Sequence, residues 1–158
     1  ETIKTDLRQP LIVAESIVKA GCKSVGILGL CYRGDLKVHK SSPTIALSRY
    51  LMEMGVSVRV HDPYYSAEEI MNITGAPSFN FPDDLSTFDA VVIVSGHRLY
   101  RAVPRDRLAS KLKNAKVVLD NIEEAWADLD LRSLGIPYYV AGESNWLLFY
   151  KKQNEKIK

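Results

Sequence analysis

The sequence is 158 residues long, 46% hydrophobic and 25% charged, with a formal net charge of +2. That suits one ordinary domain with one sizeable core and argues against intrinsic disorder. The small charge and scattered basic residues give no nucleic-acid footprint. No apolar run approaches the roughly 20 residues that cross a bilayer, so neither nucleic acid nor membrane is expected as a partner.

Residues 1–20 read as a helix, with Leu11, Ala14, Glu15 and Val18 at helical spacing and Gly21 as its stop. Val25 to Leu30 is a short apolar run bounded by turn residues, which predicts a buried strand. A polar loop, Tyr32 to Ser42, leads to a helix capped by Ser41 or Ser42, with Pro43 in its first turn. Ile45, Leu47, Tyr50, Leu51 and Met54 line that helix and Gly55 ends it. Val56 to Val60 alternates as a second strand, closed by His61-Asp62-Pro63, and Ser66 caps a short helix through Glu69 to Met71.

Residues 74–88 read as loop, with a turn at Pro82-Asp83-Asp84. Ala90 to Val94 is the clearest central strand. A loop from Ser95 to Val103 precedes a helix near Pro104. Lys116 to Leu119 is the next strand, tipped by Asp120-Asn121. Glu123 to Leu131 reads as helix, ended by Gly135, and Pro137 to Val140 is a last strand, at an edge because of the proline. The alternation of strand and helix predicts an α/β fold. Its architecture is a Rossmann-like, doubly wound parallel sheet in a three-layer α/β/α sandwich.

Ligands of such sheets bind beyond the carboxyl ends of the strands. Gly26, Gly29 and Gly34 do not form G-x-G-x-x-G, so the first loop is not expected to hold NAD in the usual manner. Asp62 stands where a ribose-binding acid would sit, and a turn with Pro63 is the weightier reading. Arg33, Lys37, His39 and Lys40, beside a serine-capped helix start, read either as an anion site or as a solvated charged loop. His97, with Arg98 and Arg101, reads as structural or as a solvated loop residue. Glu123-Glu124 reads as helix N-terminal acid. Trp126, Trp146, Tyr138 and Tyr139 read as core or interface residues.

Cys22 and Cys31 share no metal-ligand pattern with the histidines, and Cys31 reads as a buried small hydrophobe. With no signal peptide visible, a reduced, cytoplasmic protein is expected. Glu1 in place of Met suggests a piece of something longer.

Val25-Gly26-Ile27-Leu28-Gly29-Leu30-Cys31-Tyr32-Arg33, then Ser41-Ser42-Pro43, then Gly55 to Pro63, resembles the C-terminal domain of the UDP-glucose/GDP-mannose dehydrogenase family. Tyr32-Arg33-Gly34-Asp35 is similar to archaeal-type members acting on N-acetylated UDP-sugars. More faintly, Asp89 to His97 and Val118 to Asp120 look like the family's later strands, and residues 1–22 like the end of the helix joining its two halves. The resemblance implies 1–22 as linker helix, 23–150 as the nucleotide-sugar-binding domain and 151–158 as a polar tail.

It further implies NAD-dependent oxidation of the sugar C6 hydroxyl of UDP-glucose or a UDP-N-acetylhexosamine to a carboxylate. NAD would be held mainly by an N-terminal domain, and a nucleophilic Cys would come from a middle region. Neither Cys22 nor Cys31 sits in a matching context, and no residue of this chain is expected to be catalytic. Tyr32, Arg33, Lys40 and Ser42 are the implied substrate contacts, with Lys40 also near the cofactor. The implied partners are a nucleotide sugar, UDP- over GDP-linked, and the remaining domains of the parent enzyme; separately, the amphipathic helix over residues 1–20 offers a face on which a second copy would pack. Arg33 replaces the family's Lys, Lys40 its Arg, Val38-His39 an acid-Thr pair, and Ile122 the Arg of D-x-R. The alternative is a non-catalytic nucleotide-binding or regulatory domain that has lost the chemistry.

Overall fold

The computed structural model describes residues 10–31, 35, 37, 39, 42–121 and 125–140. Within them, β1 (Ser24–Leu28), β2 (Ser57–His61), β3 (Ala90–Ile93), β4 (Val117–Asp120) and β5 (Tyr138–Val140) form one sheet in the order β2-β1-β3-β4-β5. Every pairing is parallel. The chain runs outward from β1 to β2, then returns to the other side of β1, so the order reverses between β1 and β3. The expected doubly wound sheet is present.

Alternate residues of the inner strands feed two separate cores, and edge strand β2 feeds one. Val25, Ile27, Val58, Val60, Val92 and Leu119 face one layer, made of α1 (Pro10–Lys19), α2 (Pro43–Glu53) and α3 (Ala67–Thr74). Leu28, Val91, Ile93, Val118 and Tyr138 face the other, which contains α5 (Arg105–Leu112), Tyr100, Trp126 and Leu131. Each fully buried aliphatic side chain contributes roughly 1.5–3 kcal/mol, so both layers are held mainly by these stripes. Between β2 and β3 the chain passes along the free edge of β2, where Val60 N–H donates to Pro77 O at 2.9 Å. It then places Phe79, Leu85 and Phe88 on the second face. A Cβ on Gly26 would lie 2.5 Å from the Phe88 ring, so a bare backbone in β1 is what lets that ring lie on the sheet.

Several boundaries differ from the sequence reading. The buried stripe of α1 is Val13, Ala14 and Ile17, while Leu11 and Val18 are exposed. The helix read over Glu123 to Leu131 is instead two 3-10 turns, Ala127–Leu129 and Leu131–Leu134. Asp130 between them has φ +50°, a left-handed conformation no α-helix contains. Residues 122–124 and 141–158, with Trp146, lie outside the described residues. A four-residue helix, α4 (Arg98–Arg101), occupies the segment read as loop, and Asp83–Thr87 forms a 3-10 turn. Both are too short to show periodicity. Ser66 caps α3 through a full capping box with Glu69, as its spacing predicts.

Candidate functional site

The reversal point between β1 and β3 brings together three strand tips. β2 and β3 both neighbour β1, so the chain leaving β1 is flanked by Asp62 on one side and by Ser95 to His97 on the other. Gly29 makes this convergence possible. It has φ +112°, and a Cβ there would lie 2.2 Å from Ser95 Oγ and 2.6 Å from the Ser95 backbone nitrogen. Ser95 Oγ donates to Cys31 O at 2.6 Å, and Thr44 Oγ1 to Gly29 O at 2.6 Å. The start of the β1–α2 loop is thereby stitched to β3 and to α2.

Asp62 is 2% exposed, and four donors converge on its carboxylate. Oδ2 accepts from Leu30 N–H at 2.8 Å, Cys31 N–H at 3.0 Å and the His97 ring at 2.9 Å, and Oδ1 from Tyr64 N–H at 2.9 Å. Burial by itself would raise this carboxyl, but the hydrogen bonds from His97 and the backbone outweigh it and bring it down to about 2.

His97 is fully buried and bridges two elements. Its Nδ1 accepts from Asp35 N–H at 2.8 Å, so the ring proton must sit on Nε2, where it donates to Asp62. Tyr64 and Tyr100 meet the ring edge-on, at centroid distances of 5.0 Å and 5.4 Å. Asp35 has φ +58° and turns its carboxylate back onto the start of α4. It accepts from Arg98 N–H at 3.1 Å, from Arg98 Nε at 3.3 Å and from Tyr64 OH at 3.3 Å. The Arg98 backbone hydrogen bond is the main cause holding its carboxyl below the ordinary value.

The sequence-predicted contacts divide into two sets. Tyr32, Arg33 and Lys40 lie outside the described residues. Ser42 is the N-cap of α2: its Oγ accepts from Thr44 N–H at 3.2 Å, and the residue is 4% exposed. Of the other loop cations, Lys37 pairs with Glu69 at 2.8 Å and lies over the Tyr65 ring, and His39 meets Tyr65 OH at 3.1 Å. Trp126 and Tyr138 are core residues, as expected, and Asp120 ties them together. Its carboxylate accepts from Trp126 N–H at 3.3 Å and Tyr138 OH at 2.5 Å.

Composition and periodicity gave no sign of the Asp62–His97 pair, whose members are 35 residues apart. The available signal was topological. An acid ending β2 and a histidine following β3 must face each other across β1 once the strand order is 2-1-3.

The described start of the β1 loop, Gly29 to Cys31, leaves no backbone donor free for a dinucleotide. The N–H groups that would face a pyrophosphate, those of Leu30 and Cys31, are already spent on Asp62. A metal fits no better. Among the described residues Cys31, Asp62 and His97 present ligand atoms within 4.8 Å of one another. The His97 ring and two backbone N–H groups already converge on the facing carboxylate oxygen, so a cation would have to displace donors rather than fill a gap.

A family model described as the UDP-glucose/GDP-mannose dehydrogenase family, UDP binding domain, matches residues 26–123. The chain belongs to that family. UDP-N-acetyl-D-mannosamine dehydrogenase of Methanocaldococcus jannaschii is 29% identical over 144 residues, covering 85% of this chain and 31% of that protein. UDP-glucose 6-dehydrogenase of Pongo abelii is 23% identical over 112 residues, covering 62% and 23%. Among solved structures, NDP-N-acetyl-D-galactosaminuronic acid dehydrogenase from Methanosarcina mazei superimposes with a TM-score of 0.67 at 22% identity, covering 89% of this chain and 29% of that one. The chain thus spans less than a third of these dehydrogenases, in the part the family model describes as UDP-binding. No helix among the described residues is long and apolar enough to cross a membrane.

Proposed function

We propose that this chain is the nucleotide-sugar-binding portion of an NAD-dependent nucleotide-sugar 6-dehydrogenase that oxidises a UDP-linked, N-acetylated hexosamine at C6. The observation that carries it is the family match at residues 26–123, which includes the loop that leaves β1 at the reversal point of the sheet. That is where open α/β sheets place ligands. Arg33 and Lys40 supply cations for the diphosphate, Tyr32 a ring and hydroxyl, and Ser42 a hydroxyl hydrogen at the start of α2. Lys40 is also assigned a contact to the cofactor. NAD is held by the rest of the enzyme, consistent with the consumed N–H groups of Leu30 and Cys31. Residues 1–22 serve as the end of a linker helix, 23–150 as the binding domain and 151–158 as a tail, in a cytoplasmic protein that dimerises through its linker helix. Burying the diphosphate against these cations orients the sugar for reaction elsewhere in the enzyme.

A second reading, a binding or regulatory domain without dehydrogenase chemistry, is favoured by Ile122 in place of an arginine. Amide NMR titration of the chain with UDP, GDP and NAD in parallel tests the first. Shifts within residues 32–42 on adding UDP, and smaller ones with GDP, are expected. A preference for GDP, or NAD shifting Leu30 and Cys31, overturns the assignment. Whether the full-length protein reduces NAD with a UDP-sugar separates the two readings.

A further inference from the structure

We propose that His97 is a positioning residue for the nucleotide-sugar site, acting as a tautomer-locked clasp on the loop that carries Arg33. This rests on the reading above, in which that loop meets the substrate. Cys31 N–H donates to Asp62, and Asp35 N–H donates to His97, which in turn donates to Asp62. The residues on both sides of Tyr32-Arg33-Gly34 are therefore anchored to one buried carboxylate–imidazole pair. Asp35 is held three times more, by the two Arg98 hydrogen bonds and the Tyr64 OH hydrogen bond to its carboxylate. Its left-handed backbone, unfavourable for a residue with a Cβ, is retained under these constraints.

The clasp has a direction. His97 offers an acceptor to the loop and a donor to the core, and only one neutral tautomer satisfies both. Asparagine places its carbonyl oxygen near the position of Nδ1, and glutamine places its amide near the position of Nε2. His97→Asn therefore keeps the acceptor for Asp35 and loses the donor to Asp62. His97→Gln keeps the donor to Asp62 and releases the loop. A purely structural histidine would not distinguish the two variants in this order, because the Asp62 bond is the deeper and more stabilising one.

The test uses the whole 158-residue chain. UDP affinity is measured by titration, thermal stability by melting, and exchange of the Asp35 amide by NMR, in wild type and both variants. His97→Gln is expected to weaken UDP about tenfold, the change one lost buried hydrogen bond allows. It should also speed Asp35 exchange, while melting closer to wild type than His97→Asn does. His97→Asn is expected to melt lower while keeping its affinity within about twofold. Equal affinities in all three proteins, or affinity loss that follows the melting temperature, overturn the clasp. Absence of UDP binding by wild type defeats the substrate reading instead, and the exchange rates then decide the clasp: Asp35 exchanging equally in wild type and His97→Gln sinks it.

Discussion

His97 Nε2 lies 2.9 Å from Asp62 Oδ2 in a contact that is nearly water-free on both sides, and it joins the tips of two strands that are not neighbours in the sheet. β1 runs between them, and the Leu30 and Cys31 N–H groups beyond its end, with Tyr64 N–H, donate to the same carboxylate. The centre of the reversal point is thus a filled anion site whose anion is the protein's own.

Asp62→Asn is expected to cost roughly 2–3 kcal/mol at pH 7, since an amide must turn an N–H toward at least one of four converging donors. Asp62 is held at about 2 against an ordinary 3.8, so the unfolded chain takes up its proton first on acidification. Its contribution is fully present above about pH 4 and is lost as pH falls toward 2, by roughly 2 kcal/mol. Urea unfolding at pH 7 and pH 3 should show the variant's deficit shrinking at the lower pH. A constant deficit would refute the assignment.

His61 titrates in the opposite chemical sense with the same sign of pH dependence. Burial is the main cause that pushes it down to about 4 from 6.5, so the unfolded chain binds a proton that the folded chain refuses. Its neutral ring is enclosed by Phe79, Phe81 and Tyr100, and Tyr100 OH, itself raised well above its ordinary value by burial, donates to His61 O. Stability should be intact above about pH 6.5 and fall by roughly 2 kcal/mol by pH 5. His61→Phe keeps the aromatic cluster and the backbone acceptor. Melting temperatures between pH 7 and 5 should be flatter in that variant, and an unchanged slope would assign the effect to another group.

Gly29→Ala should be among the most damaging single-methyl changes in the chain. The new Cβ would meet the Ser95 backbone nitrogen at 2.6 Å, in a conformation at φ +112° that alanine avoids. We expect a loss of at least about 3 kcal/mol, read by denaturant unfolding. Gly55→Ala offers the contrast: its φ is +84°, but nothing lies within 4 Å of the added carbon, so only the backbone strain, about 1 kcal/mol, remains.

What the sequence disclosed and what it hid follow from the range of the interactions. β1 and β3 were legible because apolar runs between turn residues need no partner to be recognised, and α3 because Ser66 and Glu69 carry its start within four positions. The two 3-10 turns after β4 were read as one helix because Asp130's left-handed backbone leaves no mark on apolar periodicity. The core of the candidate site stayed hidden for a different reason. Asp62 and His97 look like a turn acid and a loop histidine until the strand order places them on either side of β1. The residues that the family resemblance names, Arg33 and Lys40, are the reverse case: they are conspicuous as charges, and their role rests on that resemblance.

Arg33→Ala in the full-length enzyme is expected to raise KM for the nucleotide sugar by about tenfold to a hundredfold, the range for a charge-assisted contact to phosphate worth about 1.5–3 kcal/mol. If the arginine only holds substrate, kcat should move little, because binding equally in ground and transition states alters KM alone. Arg33→Lys keeps the positive charge, in the residue type the resemblance assigns to this position, and should recover most of the affinity, which a lost packing contact would not. Steady-state kinetics of the two variants decide the matter. A fall in kcat at constant KM would move Arg33 from holding the diphosphate to aligning the reacting sugar, and unchanged kinetics in Arg33→Ala would remove it from the site.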